Sequence, residues 1–141
     1  MNLSKNSKLI LVEAGAASAG TTLTSDTIDT QGYEGVMIFG SIATANAGNY
    51  AKARQGAASD MSDAADLEGT KVVPGDNGDS FCIDILRPRE RYVDVQIVRG
   101  GANSITGDVY ALLYGPVRKA PTAHGATIDV ETFVSPAEGT A

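Results

Sequence analysis

The amino-acid sequence predicts an all-β fold, namely a β-sandwich or jelly-roll-like single domain with extended terminal arms. A chain of 141 residues has room for one sizeable hydrophobic core. Aliphatic β-formers are plentiful, tryptophan is absent and glycine occurs 16 times, a composition that favours short strands joined by tight turns. Apolar and polar residues also alternate with period two in several segments, and no long helical pattern competes with them.

Five alternating segments bounded by turn residues predict strands, and they are 9–13, 36–42, 81–86, 92–99 and 105–114. Residues that share one parity within these segments are expected to form the core. They are Leu11, Val36, Ile38, Phe81, Ile83, Val93, Val95, Ile97, Val109, Ala111 and Leu113. On the opposite parity of segment 92–99, Asp94 and Gln96 are expected to face water.

Weaker patterns and turn residues complete the predicted domain. Segments 21–28 and 49–57 predict edge or bulged strands. Segment 100–104 is rich in residues that tolerate positive φ, which predicts an antiparallel hairpin between its two flanking strands. Segment 59–69 has a candidate N-cap at its start and Gly69 at its end, which predicts one or two helical turns on a long loop.

The composition changes after Pro116, where prolines become frequent and large apolar residues rare. We therefore expect a domain at 9–116, an N-terminal arm at 1–8 and a C-terminal arm at 117–141. Within the C-terminal arm, segment 127–134 alternates again and places three apolar residues on one face: Ile128, Val130 and Val134. Three outcomes stay open for it, namely the last strand of its own domain, pairing with a neighbour's sheet edge, or disorder. Both arms are expected to contact other chains.

Charge, cysteine content and the N-terminal residues exclude several classes of protein. Lys and Arg total 11 against 17 Asp and Glu, a net charge of -6, which disfavours binding to nucleic acid. Cys82 is the only cysteine, so we expect no intramolecular disulfide but a buried thiol. The apolar run 9–12 is too short for a signal peptide or a membrane span. We therefore expect no membrane contact, and we expect the protein to be made in the cytoplasm.

No motif in the sequence predicts catalysis, a cofactor or a bound metal ion. Two acidic clusters, at 76–79 and at 60–68, offer oxygen ligands but do not follow the EF-hand spacing. Paired carboxylates could serve glycoside hydrolysis, yet no aromatic platform is present to line a cleft. The glycines at 100–101 precede a predicted strand rather than a helix, unlike those of a phosphate-binding loop. We therefore expect the protein not to be an enzyme.

Segment 36–39 is apolar on both faces, which indicates a central strand or a strand whose outer side is covered by another subunit. The residues expected to contribute to self-association from non-core faces are Met37, Phe39, Tyr110 and Leu112. A second candidate interface is formed by Arg87, Arg89 and Arg91, whose period-two spacing would place them on one side of an extended segment, opposite carboxylates of a partner. The alternative is a solvated strand entry with ion pairs inside the chain.

Several different short motifs are spread along most of the chain. They are Val-Glu-Ala-Gly-Ala at 12–16, Gly-Tyr-Glu-Gly-Val at 32–36, Ser-Asp-Met-Ser-Asp at 59–63, Arg-Tyr-Val at 91–93, and Gly-Asp-Val-Tyr-Ala-Leu-Leu-Tyr-Gly-Pro at 107–116 followed by Ala-Pro at 120–121. In this order they resemble a family of small virion proteins that tailed phages encode beside the major capsid protein. The sequence departs from that family at 87–89, where it carries Arg-Pro-Arg, and the tail from residue 122 has no counterpart.

The resemblance implies a β-sandwich or jelly-roll head decoration protein, often trimeric, that sits on local three-fold positions of the capsid. Its partners would be further copies of itself and the major capsid protein, and its location would be the capsid exterior. Two alternatives remain. A tail or head–tail connector protein would also be rich in strands and oligomeric, whereas a carbohydrate-binding β-sandwich would need exposed aromatic side chains on a flat face.

Overall fold

A computed structural model of the chain describes residues 2–117, 123–135 and 137–140. Residues 118–122 of the predicted C-terminal arm, and with them the Ala-Pro motif at 120–121, lie outside the described residues. Strands dominate, which confirms the predicted all-β class. The elements are α1 Leu3–Asn6, β1 Ser7–Glu13, β2 Ala16–Ala19, β3 Leu23–Thr24, β4 Ile28–Asp29, β5 Tyr33–Ser41, β6 Asn49–Gly56, β7 Ala65–Asp66, β8 Ser80–Leu86, β9 Tyr92–Arg99, β10 Ser104–Thr106 and β11 Val109–Pro116.

The strands form two antiparallel main sheets and one small sheet. The first main sheet has the order β1-β11-β5-β8. In the second, β3 and β4 pair with one side of β9, and β6 and then β7 follow on its other side. β2 and β10 form the small sheet. The apolar inner faces of the two main sheets supply one hydrophobic core, as in a β-sandwich.

Ten of the eleven residues predicted for the core are buried. The exception is Leu11, which is half-exposed, while its neighbour Val12 is buried. The register of β1 shifts between Leu11 and Glu13, and Leu11 lies opposite Tyr110 on the side away from the core. This irregularity moves Val12 inward, so the prediction for Leu11 is wrong.

Segment 49–57 was predicted as an edge or bulged strand, but β6 lies between β9 and β7. Its pairing with β9 runs without a shift from Asn49 opposite Arg99 to Gly56 opposite Tyr92. The small inward residues Ala51 and Ala53 are fully buried. Their size weakens the apolar pattern in the sequence without weakening the strand, because the opposite sheet supplies the larger side chains.

The predicted hairpin around 100–104 does not form. β9 belongs to the second sheet and β11 to the first, and β10 pairs with β2. The chain crosses between sheets here, and Arg99 holds the crossing: its guanidinium donates to the carbonyl oxygens of Ala17, Thr21 and Ser104, each at 2.8 Å. Turn residues predict a change of direction but not which strand is the next partner.

The predicted helical turns in 59–69 are also absent, since this segment contains bends, turns and the two-residue strand β7. The Asp63 carboxylate accepts the backbone N–H groups of Ala57 and Ala58 at 2.9 and 3.1 Å. Side-chain bonds of this kind compete with helical bonding. Gly69 has φ of +76°, as expected of a turn glycine.

Two of the buried polar residues, Asp94 and Asn49, connect separate parts of this fold. Asp94 was expected to face water, yet it is 1% exposed. On the neighbouring strand Arg54 lies directly opposite and donates from Nε to Asp94 Oδ1 at 2.9 Å and from Nη2 to Oδ2. The carboxylate raises the pKa of Arg54. Asn49 is fully buried as well, and it bonds only backbone groups.

Candidate interaction surface

The side of the first sheet that faces away from the core carries two rows of apolar side chains. Strand register brings them together, because residues opposite each other on neighbouring strands share a face. One row contains Leu9, Leu112 and Met37, and the other contains Leu11, Tyr110 and Phe39. We call these six residues the outer face. All six are half-buried, and the rings of Phe39 and Tyr110 stack with centroids 5.9 Å apart.

The structure therefore places the predicted residues Met37, Phe39, Tyr110 and Leu112 side by side. Leu9 and Leu11 were missed as further members of the face. A signal for them exists, because four consecutive apolar residues at 9–12 repeat the two-faced pattern that predicted an outward side for segment 36–39.

A polar rim borders the outer face along β8. Asp84 lies opposite Met37, and Cys82 opposite Phe39. Cys82 is exposed, so the expected buried thiol is wrong. Tyr114 donates its hydroxyl to Asp84 Oδ1 at 2.7 Å, and burial together with this carboxylate raises the pKa of Tyr114 to about 12. An apolar centre with a polar border is typical of protein–protein interfaces.

The three arginines after β8 do not share one side of an extended segment. The chain bends here, and Arg87 has φ of +53°. Arg87 pairs with Glu34 at 3.1 Å, and Arg91 donates to both oxygens of Asp29 at 2.9 and 2.7 Å. The pKa of Asp29 is lowered, chiefly by Arg91. Ion pairs inside the chain, the alternative left open by the sequence, are thus present for these two arginines, and the third, Arg89, is exposed.

The described part of the C-terminal arm lies beside the edge of β1. Gly125 N–H donates to the carbonyl oxygen of Leu9 at 2.8 Å, and Leu9 N–H donates to His124 Nδ1 at 2.9 Å. The second imidazole nitrogen lies 2.9 Å from the carbonyl oxygen of Ser4. One hydroxyl contact, between Ser4 and Thr132 at 2.8 Å, continues this line. β1 begins at Ser7, two residues earlier than predicted.

Residues 127–134 form no strand in the chain itself. The outcome in which they are the last strand of their own domain is therefore wrong for the described residues. Ile128 is half-buried, while Val130 is 41%, Phe133 71% and Val134 94% exposed. Val130, Phe133 and Val134 are therefore exposed to solvent in the described part of the chain.

The acidic clusters hold their own loops. Asp79 accepts the backbone N–H of Asp76 at 2.8 Å, and Asp60 accepts that of Ser62 at 3.0 Å. Hydrogen bonds from Ser62 lower the pKa of Asp60. Among the residues that the structure describes, no group of three or more His, Cys, Asp and Glu side chains is arranged to hold a metal ion.

Fold and surface together define a small antiparallel β-sandwich that presents an apolar sheet face and a C-terminal arm. Searches of protein-family models, curated proteins and solved structures found no match to the chain. No helix in the described residues is long and apolar enough to span a membrane.

Proposed function

We propose that the protein is a non-enzymatic structural protein of a tailed-phage virion: a head decoration protein that forms a homotrimer and binds the outside of the shell built by the major capsid protein. The outer face is the observation that carries the proposal, because six half-buried apolar side chains on three adjacent strands form a surface suited to contact with another protein. The sequence motifs that resemble small virion proteins suggest the setting. A tail or head–tail connector protein is the alternative.

The outer face is suited to contacts between copies of the chain. Removing apolar surface from water contributes roughly 25 cal/mol per Å², so burying all six side chains would offset part of the entropy lost on association. None of the six is charged. Copies that each carry a net charge of -6 can therefore meet through this face without direct repulsion.

Decoration would stabilise the shell by mass action. A protein that binds the assembled shell, but not dissociated capsid subunits, shifts the equilibrium toward the shell. This mechanism needs buried contact area rather than a reacting group. The protein would be made in the host cytoplasm. Because it would bind from outside, it would join shells that have already assembled.

Co-expression with the major capsid protein tests the proposal directly. We expect electron microscopy of purified shells to show the protein on their outer surface as trimers at local three-fold positions. The copy number should then be three for each occupied position. Decorated shells should also withstand dilution or heating better than bare shells. Recovery of the protein in tails or connectors, or as isolated monomers on the shell, would contradict the assignment.

A lysine placed in the outer face should weaken self-association. In Leu112→Lys, the charge would have to be buried between copies, so we expect the dissociation constant to rise at least about tenfold, which corresponds to 1.4 kcal/mol. The matched control is Thr24→Lys, an exposed position on β3 of the other sheet. Analytical ultracentrifugation measures the difference, and circular dichroism checks that both variants fold. Equal association of the two variants would remove the outer face from the interface.

A further inference from the structure

The strand β8 leaves one edge of the first sheet open. On one side it pairs with β5, and among the described residues no strand pairs with its other side. Two backbone bonds fix which groups point outward: Arg87 N–H donates to Glu34 O at 2.7 Å, and Ile42 N–H donates to Asp79 O at 3.3 Å. Since antiparallel pairs alternate, the residues in step with 79 and 87 bond to β5. The residues between them direct their N–H and C=O groups to the open side: Ser80, Cys82, Asp84 and Leu86.

This open edge is regular and weakly protected. The seven residues of β8 contain no proline or lysine, and their pairing with β5 shows no bulge. The one charged side chain, that of Asp84, accepts the Tyr114 hydroxyl. Leu86 is 60% exposed beside it. An unprotected edge of this kind is a template for adding a further strand.

The opposite edge of the same sheet, β1, is partly covered, because His124 and Gly125 form hydrogen bonds with Leu9. The next residues, 127–134, form no strand, and the hydroxyl contact between Ser4 and Thr132 at 2.8 Å would open if they paired elsewhere. The edges of β1 and β8 are three strand spacings apart, about 14 Å. The two residues after Gly125 span at most about 7 Å. While this anchor holds, residue 127 cannot reach the chain's own β8, so the segment cannot pair along that edge from its first residue, whereas the β8 of a second copy is open to it.

The charges of segment 127–134 and of the residues after β8 favour one orientation for a strand that adds to this edge. The segment 127–134 carries two acidic residues, Asp129 and Glu131, and no basic one. β8 is followed by Arg87, which pairs with Glu34, and by Arg89, which lines a groove of about 350 Å³ together with Glu68 and Asp84. An antiparallel arrangement brings the acidic half of the segment to this end of β8. Exposed pairs contribute only about 0–1 kcal/mol each, so they would set orientation while backbone bonds and apolar burial supply affinity.

We propose that residues 127–134 of one copy add antiparallel to the β8 edge of a second copy, which extends its first sheet to five strands. This inference rests on the proposed self-association and names the surfaces that carry it. In this arrangement Ile128 lies opposite the exposed Leu86, Val130 and Val134 lie on the same side beyond the polar rim of β8, and the acidic residues turn to the side of Arg89. Since arm and edge are different surfaces, the contact is head-to-tail, and three such contacts close into a ring.

The single cysteine provides a direct test. With Val134 opposite Ser80, the antiparallel register places residue 132 opposite Cys82. In the full-length chain, Thr132→Cys is therefore expected to form a disulfide with Cys82 of a neighbouring copy under mild oxidation, because paired residues of adjacent strands are close enough for one. Non-reducing gels should show covalent dimers and trimers, and mass spectrometry should identify the 82–132 link. The control is Thr24→Cys, a thiol exposed on the other sheet, which should give only a trace of random cross-links.

A second variant tests the arm without the thiol. Deleting residues 122–141 should leave a folded domain whose dissociation constant is raised at least tenfold. An intrachain disulfide in Thr132→Cys, or full-strength trimers after the deletion, would overturn the arm exchange. If instead hydrogen exchange showed the β8 edge protected only on shells, the occupant would be a capsid subunit and the exchange would be overturned too. Trimers that still decorate shells in those cases would leave the proposed function standing, whereas a wild-type chain that neither associates nor binds shells would overturn both.

Discussion

Replacing Arg54 with alanine is expected to lower the free energy of unfolding by about 3–5 kcal/mol, the usual cost of removing one partner from a buried ion pair. The Asp94 side chain is 2% exposed, whereas that of Arg54 is 21% exposed. Asp94 lies on the face of β9 opposite the core residues Val93 and Val95, so Arg54→Ala leaves an uncompensated carboxylate on the outer side of the second sheet. Urea unfolding monitored by circular dichroism measures the loss, and a decrease below about 1 kcal/mol would show that water or another group replaces the arginine.

Two control variants separate burial from charge. Arg87→Ala removes an arginine whose side chain is 79% exposed in its pair with Glu34, so we expect a change of at most about 1 kcal/mol. The double variant Arg54→Met/Asp94→Leu removes both charges and keeps apolar volume. It is expected to be far more stable than Arg54→Ala, since replacing a whole buried pair with apolar residues is often close to neutral.

Replacing Asn49 with alanine is expected to lower the free energy of unfolding by at least about 4 kcal/mol. Its amide donates to the carbonyl oxygens of Thr44 and Ala102, both at 3.0 Å, and accepts the N–H groups of Gly101 and Ala102 at 3.1 and 3.2 Å. Each bond contributes about 1 kcal/mol, and buried partners left unsatisfied add to the loss. The amide thus ties the loop before β6 to the crossing after β9, and both should loosen together.

The matched control for this prediction is Asn46→Ala. Asn46 is exposed and accepts one backbone N–H, that of Gly48, at 2.9 Å, so we expect a loss below about 1 kcal/mol. Urea unfolding compares the two variants, and hydrogen exchange at Gly101 and Ala102 reports whether the crossing has opened. Equal stability of the two variants would refute the role assigned to Asn49.

The inward residues of the long strands could be predicted from sequence because alternation is a local property. In β8, Phe81 and Ile83 point inward and Cys82 points outward, and no knowledge of the neighbouring strands is needed to see this. The same reasoning separates Ile38 from Met37 and Phe39 on β5. Met37 and Phe39, the apolar residues that this reasoning left outside the core, indicated the candidate interaction surface.

The predictions that were wrong concerned features that depend on contacts between residues far apart in the sequence. Asp94 is buried because Arg54, 40 residues away, stands opposite it, and a period-two pattern contains no information about that partner. The bulge in β1 and the crossing after β9 are likewise set by pairings with strands far along the chain. The same limit applies to the arm, since its alternation could indicate a strand but not the edge that would receive it.

The pairing of β1 with β11 also sets the order in which a newly made chain can fold. The register joins Ile10 to Ala111, a separation of 101 residues. At ribosomal rates of about 5–20 residues per second, β1 emerges roughly 5–20 s before its partner. A chain that stalls or is cut before β11 can therefore pair neither β1 nor the β11 side of β5, and it lacks Tyr110 and Leu112. Such fragments would have no assembled outer face, so incorporation into an assembly through this face would select for chains synthesised through β11.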